Sequence, residues 1–369
     1  MFVIEDCEGN KEYIFAIKFD YGLAIFHNGT AYGLLPSQGR IGATRKFIDS
    51  YLMKDGSRFT AKPGYESMQF AQQVADRDPR LSQYVMYNGT VYRDTEIITG
   101  SYSADDNGLN KIANSTRTGY YLRKLMRDDC DPNSTTQLAQ YHYPVYMRFT
   151  EIFLAYAEAA NEAWGPRGAG ANGYSAYDVI KAIRTRAGVD ADYTKTINAT
   201  DLTKEPDWAK YSGSTLVDAT LYNIRRERRC EFIGEGFRWD DLIRWRAFDG
   251  LLEGGEFHGY LPQGVNFWTS MYKHQSYYDS KTGKELFKEQ APGVDANISN
   301  RNFSKYVHPY NTKEENNQLW DGLKWQKAHY LAPLGVMDLT ITSPDNKVET
   351  ALTYKNQYWP KNAASAAIE

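Results

Sequence analysis

Apolar residues recur at helical spacing in one highly charged stretch, 220–247, which reads TLYNIRRERRCEFIGEGFRWDDLIRWRA. This spacing predicts two helices that each turn one apolar stripe toward a core. The apolar positions are Leu221, Ile224, Phe232, Ile233, Leu242, Ile243 and Trp245. Because glycine lowers helix propensity, we expect the two helices to be hinged at Gly234-Glu235-Gly236.

The acidic residues of the same stretch have a regular spacing of their own. Glu227, Glu231 and Glu235 follow one another at intervals of four, which stacks three carboxylates on one flank. They would repel one another unless cations neutralise them. Candidate cations within the stretch and on other helices are Arg225, Arg226, Arg228, Arg229, Arg148, Arg184 and Arg186. Beyond the hinge, the pairs with helical spacing are Arg238 with Asp241 and Asp240 with Arg244. We interpret the set as an ion-pair lattice between helices.

Helical spacing also predicts a first helix pair upstream. Residues 148–164 form the clearest helix, and the alanines on its apolar face allow a neighbour to approach closely. The glycine-rich segment 165–173 is a flexible connector, and 175–187 returns as a second helix with Gly188 as its carboxy-terminal cap. We therefore place a helical core at 148–250.

The flanking regions carry weaker signals. Region 1–147 is rich in loops and hairpins, and region 251–369 is loop-rich, within one domain that spans 1–369. Alternation of apolar and polar residues predicts a strand at 13–19, and short candidate strands lie at 81–87 and 120–125. A short helical or extended piece is expected at 45–53 and a helix at 65–74. Segment 190–213 is interpreted as a polar loop, and the last nine residues as disordered.

Composition narrows the class of protein. The 369 residues carry 43 cations and 46 acids, for a net charge of -3, which gives no field for holding a polyanion such as nucleic acid. The 29 tyrosines combine an apolar face with a hydroxyl, which suits wet surfaces that contact polar ligands. The three cysteines, at 7, 130 and 230, are too few for a disulfide framework, and no apolar run is long enough to span a bilayer.

Catalytic and cofactor motifs find little support. Glu227 and Glu231 could be the carboxyl pair of a retaining glycosidase, but a general acid needs a raised pKa and the flanking arginines favour the charged form. The glycines of 165–173 follow a helix and lack the lysine of a phosphate-binding loop. The six histidines lack metal-site spacing, and 105–108 is better interpreted as a turn than as a calcium loop. We predict no cofactor, no metal and no catalytic residue.

Four motifs carry a family resemblance. They are E-R-R-x-E-F-x-x-E-G-x-R-x-x-D-L-x-R-W at 227–245, R-F-T-E-I-F-L-A-Y-A-E-A at 148–159, I-R-T-R-A-G at 183–188 and R-D-P-R-L at 77–81. In their order along the chain, 77–81 first and 227–245 last, they resemble the SusD/RagB family of bacterial surface lipoproteins that capture nutrients. The matching signature residues are Glu227, Arg228, Glu231, Glu235, Arg238, Asp241 and Trp245. Family members are longer, so the chain is expected to be truncated at its amino-terminal part.

The resemblance implies a mainly α fold of tetratricopeptide-like helical pairs, with long irregular loops and short β-hairpins. It further implies a lipid-anchored, non-catalytic protein at the outer membrane that binds an oligosaccharide for uptake through a SusC-like TonB-dependent transporter. Two alternatives stay open. One is a peptide-binding subunit of the RagB type, and the other is a glycoside hydrolase that acts on the same glycans.

Aromatic side chains in irregular segments are the candidate ligand contacts, because the shared family motifs do not carry them. The candidates are Trp268, Tyr272, Phe267, Tyr92 and Tyr102. Each could instead pin its loop onto the core. Trp268 is the first choice, because its indole has the largest face for stacking on a sugar.

Overall fold

The computed structural model describes residues 2–3, 8–20, 22–27, 29, 41–87, 89–92, 94–96, 116, 118–129, 144–266, 306, 321–353 and 358–359. Helices dominate these residues and strands are short, which confirms the mainly α fold with small hairpins. The α-helices are α1 Arg45–Ser50, α2 Phe70–Val74, α3 Pro79–Tyr84, α4 Phe149–Trp164, α5 Ala176–Ala187, α6 Tyr193–Asn198, α7 Ala219–Glu231, α8 Phe237–Arg244 and α9 Val336–Ile341.

The strands form four antiparallel two-stranded pairs within the described residues. The paired strands are β1 Tyr13–Ala16 with β6 Val145–Arg148, β2 Val85–Met86 with β5 Tyr121–Leu122, β3 Val91–Tyr92 with β4 Thr95–Glu96, and β7 Tyr211–Ser212 with β8 Thr215–Leu216. Short 3-10 helices lie at Phe59–Ala61, Tyr65–Ser67, Trp208–Lys210, Ala247–Leu251, Lys327–Tyr330 and Val348–Thr350.

The four principal helices follow the predicted pattern. Helix α5 begins at a capping box in which Ser175 and Asp178 each bond the other's main-chain nitrogen, and it ends at Gly188 in the left-handed conformation, with φ 78°. Helices α7 and α8 are separated at the predicted hinge. There Gly234 and Gly236 adopt φ values of 78° and 89°, which glycine reaches without a steric penalty.

The helical core lies between α4, α5 and α7. Small side chains on α4, Ala157 and Ala160, are fully buried and let Ile180 and Ile224 from the neighbouring helices pack against it. A second cluster joins α1 to α7, where the Tyr51 hydroxyl donates a 3.0 Å hydrogen bond to the carbonyl oxygen of Cys230. The helix pairs and the amino-terminal segments therefore share contacts. The division of the chain into three regions stays a prediction.

Two predicted elements are wrong, and a third, a predicted helix, is divided. Segment 81–87, predicted as a strand, is mostly helix α3, because Asp78 caps the helix and Pro79 occupies its first turn. Segment 65–74 is divided into the Tyr65–Ser67 turn and α2. Segment 190–213, predicted as a loop, contains α6 and the Trp208–Lys210 turn, each begun by an aspartate side chain that accepts a main-chain hydrogen bond.

Apolar side chains also lie on the surface. Phe15 on β1, Tyr146 on β6 and Phe153 on α4 are each about half exposed, and the rings of Phe15 and Tyr146 are 5.8 Å apart. No helix among the described residues is both long and apolar enough to cross a membrane. The predicted disorder of the last nine residues lies outside the described part of the chain.

Candidate functional site

Glu231, at the end of α7, is the centre of the predicted ion-pair lattice. Its carboxylate is buried and accepts hydrogen bonds from Arg80 at 3.0 Å, Arg148 at 3.1 Å and Arg186 at 2.6 Å. The contacts expected from Arg148 and Arg186 are therefore present. Arg184 makes a different set of contacts, because its guanidinium donates to the carbonyl oxygen of Asp190 and the hydroxyl of Thr196.

Arg80 is the partner that the spacing argument missed. Its guanidinium lies 2.7 Å from Asp78, 2.5 Å from Glu227 and 3.0 Å from Glu231, and the side chain is only 4% exposed. Helix α3 positions Arg80 there, because Asp78 caps the helix and Pro79, the residue before Arg80, begins it. The R-D-P-R-L motif at 77–81 was the sequence signal that could have identified Arg80. Its two arginines and one aspartate lie close together, and no apolar periodicity accounts for them.

Glu235, in the hinge, binds a second set of cations. Arg148 donates to both of its carboxylate oxygens, at 2.7 and 2.8 Å, in the bidentate geometry that makes such pairs strong. The Lys124 ammonium donates to Glu235 and, at 2.7 Å, to the carbonyl oxygen of Glu231. Glu12 also reaches Arg148, at 3.1 Å. The hinge is thus held by cations from two separate segments, and Glu12 adds a third segment through Arg148.

The signature residues of α8 join it to α7 and to the segment before α7. Both oxygens of Asp241 accept from Arg228 at 3.0 Å. Arg238, expected to pair with Asp241, instead donates to Asp207, as does Arg229. Because Asp207 starts the Trp208–Lys210 turn, this pairing draws that turn onto both helices.

The carboxy-terminal end of α8 is tied to α4 through Glu158. The Trp245 indole donates to Glu158 at 2.6 Å, and Arg244 binds both Glu158 and Asp241. Asp240, expected to pair with Arg244, is exposed, and no ion pair joins the two in the described part of the chain. Arg244 instead binds an acid on α4, because Glu158 offers a partly buried acceptor on that helix.

The electrostatics of the lattice oppose acid catalysis. Burial pushes the pKa of Glu231 up, but Arg80, Arg186 and Arg148 outweigh burial and lower the pKa from 4.5 to about 2. Burial likewise opposes ionisation of Asp207, yet Arg229 and Arg238 hold its pKa well below the usual range. Carboxylates in this state have no proton to donate near neutral pH. The geometry and charges are those of a structural lattice.

One of the five candidate ligand contacts, Tyr92, lies within the described residues. Trp268, Tyr272, Phe267 and Tyr102 lie outside the described residues. Tyr92 is only 1% exposed, and its hydroxyl donates a 2.6 Å hydrogen bond to the carbonyl oxygen of Arg127. The Tyr92 ring packs in a small apolar cluster and has no open face for a sugar. This side chain pins its hairpin, which corrects the expectation of a ligand contact at this position.

A cavity of about 340 Å³ beside α1 was not predicted. Its walls come from α1, the Tyr65–Ser67 turn and the segments 203–206 and 256–263, together with Tyr306. No motif could have indicated it, because these segments are far apart in the sequence. Within the described part of the chain, no group of three or more histidine, cysteine, aspartate or glutamate side chains is placed to hold a metal ion.

The sequence profile of the SusD family matches residues 11–364, so the chain belongs to this family. A SusD-like carbohydrate-binding protein from Bacteroides fragilis is similar in structure, with 25% identity and a TM-score of 0.50 over 76% of this chain and 50% of that one. A second SusD-like protein from the same organism has 19% identity and a TM-score of 0.52 over 95% of this chain and 55% of that one.

The chain therefore spans about half the length of the solved structures that it matches. No curated protein matches it. Family membership agrees with the resemblance carried by the four sequence motifs. The second of these structures is evidence for the fold alone, since its sequence is distant.

Proposed function

We propose that this chain is a non-catalytic subunit that binds an oligosaccharide at the outer-membrane surface, for uptake through a SusC-like TonB-dependent transporter. The family match over residues 11–364 carries the proposal. A similar structure, at 25% identity, is described as a carbohydrate-binding protein. The arginine-saturated carboxylates of the signature support binding over hydrolysis, because they lack a group suited to protonate a leaving oxygen.

The helical core has little to offer a ligand. Most of its signature side chains are buried and paired with charged neighbours, as Glu231 with its three arginines illustrates. Loops carried on a rigid scaffold commonly supply binding residues. We therefore keep Trp268, with Tyr272, Phe267 and Tyr102, as proposed stacking contacts. Sugar sites of this kind are wet, so water would bridge many of the hydroxyl contacts.

Calorimetric titration of the full chain with a panel of oligosaccharides tests the proposal. We expect at least one glycan to bind, and Trp268→Ala to weaken that binding about tenfold, since stacking faces are lost. Trp164→Ala is the matched control, because Trp164 is 52% exposed and lies at the end of α4, in the helical region to which the proposal assigns no ligand contact. Unchanged affinity in Trp268→Ala would remove Trp268 from the site.

The same titration separates the alternatives. Binding of peptides in place of glycans would favour the RagB-type subunit, in which main-chain contacts replace stacking. Release of reducing ends from a bound glycan would favour the hydrolase. Binding without release is the outcome that the proposal predicts.

A further inference from the structure

The cavity beside α1 has the dimensions and the lining of a small-molecule site. Its volume of about 340 Å³ is at the lower end of the range of roughly 300–1,000 Å³ that is typical of ligand pockets. Tyr260 and Tyr306 contribute aromatic rings, and Thr60 and Gln263 contribute neutral polar groups. Aromatic faces next to hydrogen-bonding groups suit a sugar ring.

Lys46 is the unusual member of this lining. Its ammonium nitrogen lies 3.8 Å from the ring centroid of Tyr260, 4.8 Å from that of Trp208 and 4.9 Å from that of Phe257. In the described part of the chain, the ammonium forms no ion pair and donates no hydrogen bond to a protein acceptor. A cation held over three rings is positioned but keeps its donors available. Lys46 can therefore bind an anion without breaking an existing pair.

The acidic side chains of the cavity differ from Lys46, because each one already has a donor. The pairs are Asp49 with Arg45, Glu66 with the Tyr306 hydroxyl, Glu205 with Arg58 and Glu256 with Lys210. The distances from donor to acceptor range from 2.7 to 3.0 Å. Three of these acids are paired with a cation and Glu66 accepts from a neutral hydroxyl, and among the described residues no hydrogen bond or ion pair joins any of the four to Lys46.

The charges that surround Lys46 do not supply the missing partner. Asp207 is the acid that favours the charged form, but it is already bound by Arg229 and Arg238, and both of these arginines and Lys210 oppose the Lys46 charge. Glu256 faces Lys46 as well and is bound by Lys210. Burial, with these cations, lowers the pKa of Lys46 to about 7. An anion close to Lys46 would raise that pKa again.

We propose that this cavity is a subsite for an acidic sugar, in which Lys46 binds the carboxylate of a uronic acid residue. The inference rests on the proposed function and specifies its ligand class. A uronic acid presents one carboxylate beside several hydroxyls. The carboxylate matches the Lys46 ammonium, and the ring and hydroxyls match the tyrosine faces and neutral polar groups.

The test is titration of the full chain with oligouronates, each paired with its methyl-esterified form, which keeps the size and removes the charge. The acidic form should bind about tenfold more tightly or better, as expected for one charge-assisted contact. Lys46→Met should lower affinity for the acid to that for the ester and leave the ester unaffected. Lys204→Met is the matched control, because Lys204 lines the same cavity but is 75% exposed and paired with Asp201.

Proton uptake gives a second readout that needs no variant. Titrations at about pH 7.5 in two buffers of different ionisation enthalpy should show that the acidic glycan brings protons with it, since its carboxylate raises the Lys46 pKa. Lys46→Met should abolish this uptake. Equal binding of acid and ester, or a preference that survives in Lys46→Met, overturns the subsite and leaves glycan binding intact. No binding of any glycan overturns the proposed function together with the subsite.

Discussion

Two regions of this molecule bury charge beside aromatic rings and use it differently. In the lattice between α7 and α8, the single carboxylate of Glu231 is bound by three arginines, Arg80, Arg148 and Arg186. In the cavity beside α1, Lys46 lies over three rings and forms no ion pair with any acid in the described part of the chain. A charge that is fully paired inside the protein supports the fold, whereas a positioned charge without a partner is available to a ligand.

The largest effect should come from removing the cation that serves most acids. Arg80→Met leaves Asp78, Glu227 and Glu231 buried without their shared partner, so we expect a loss of ~3–5 kcal/mol in the free energy of unfolding. Urea unfolding followed by circular dichroism measures it. The control is Arg246→Met, since Arg246 is 63% exposed and should contribute no more than ~1 kcal/mol. Equal losses in both variants would contradict the lattice.

A somewhat smaller loss, of ~3 kcal/mol, is expected for Glu231→Gln, because Arg80 keeps Asp78 and Glu227 when Glu231 is neutralised. The same unfolding measurement applies. Glu253→Gln is the control, since Glu253 is exposed. A Glu231→Gln protein as stable as this control would mean that the buried pairs contribute nothing to the fold.

Acid should weaken the lattice as the pH falls from 4.5 toward 2. The folded-state pKa of Glu231 is about 2, below the 4.5 of the unfolded chain, so its contribution is present above 4.5 and is lost as the pH falls toward 2. The parent should therefore lose more stability over this window than Glu231→Gln does. Urea midpoints at several pH values decide it, and parallel curves for the two proteins would exclude Glu231 as the titrating group.

The smallest loss of stability should come from Lys46→Met at neutral pH, with no loss beyond ~0.5 kcal/mol, because no acceptor among the described residues loses a partner. The folded pKa of Lys46, about 7, lies below the 10.5 of the unfolded chain, so its charge costs stability at low pH and that cost is relieved between these values. The parent should gain stability relative to Lys46→Met as the pH rises through this window. A clear loss on substitution would indicate a structural role.

The sequence predicted what periodicity and local spacing control. Helices α4, α5, α7 and α8 and the glycine hinge follow from apolar stripes and from glycine's conformational freedom. An Asp-Pro pair can follow the end of a helix or start a new one, and here Asp78 caps α3 and Pro79 occupies its first turn. Because of this local ambiguity, α3 was not predicted, and neither was the position of Arg80.

Long-range pairing was beyond sequence reasoning. Arg80 and Glu231 are 151 residues apart, and the spacing within one helix contains no information about that contact. Arg238 pairs with Asp207 and not with Asp241, the acid at helical spacing. Asp207 is buried and lies within reach of arginines on both α7 and α8. The cavity has the same origin, since its walls meet only after the chain has folded. Four of the five aromatic candidates lie outside the described residues and stay predictions.

The most direct test of the claim that the lattice is structural and does not contact the ligand is the affinity of Glu231→Gln for the preferred glycan. It is measured by calorimetry at a temperature where circular dichroism shows the variant to be folded. If the signature is structural, the folded variant should bind within about twofold of the parent, despite its lower free energy of unfolding. A tenfold or greater loss of affinity, with the free energy of unfolding unchanged, would show that the lattice contacts the ligand and would contradict the account.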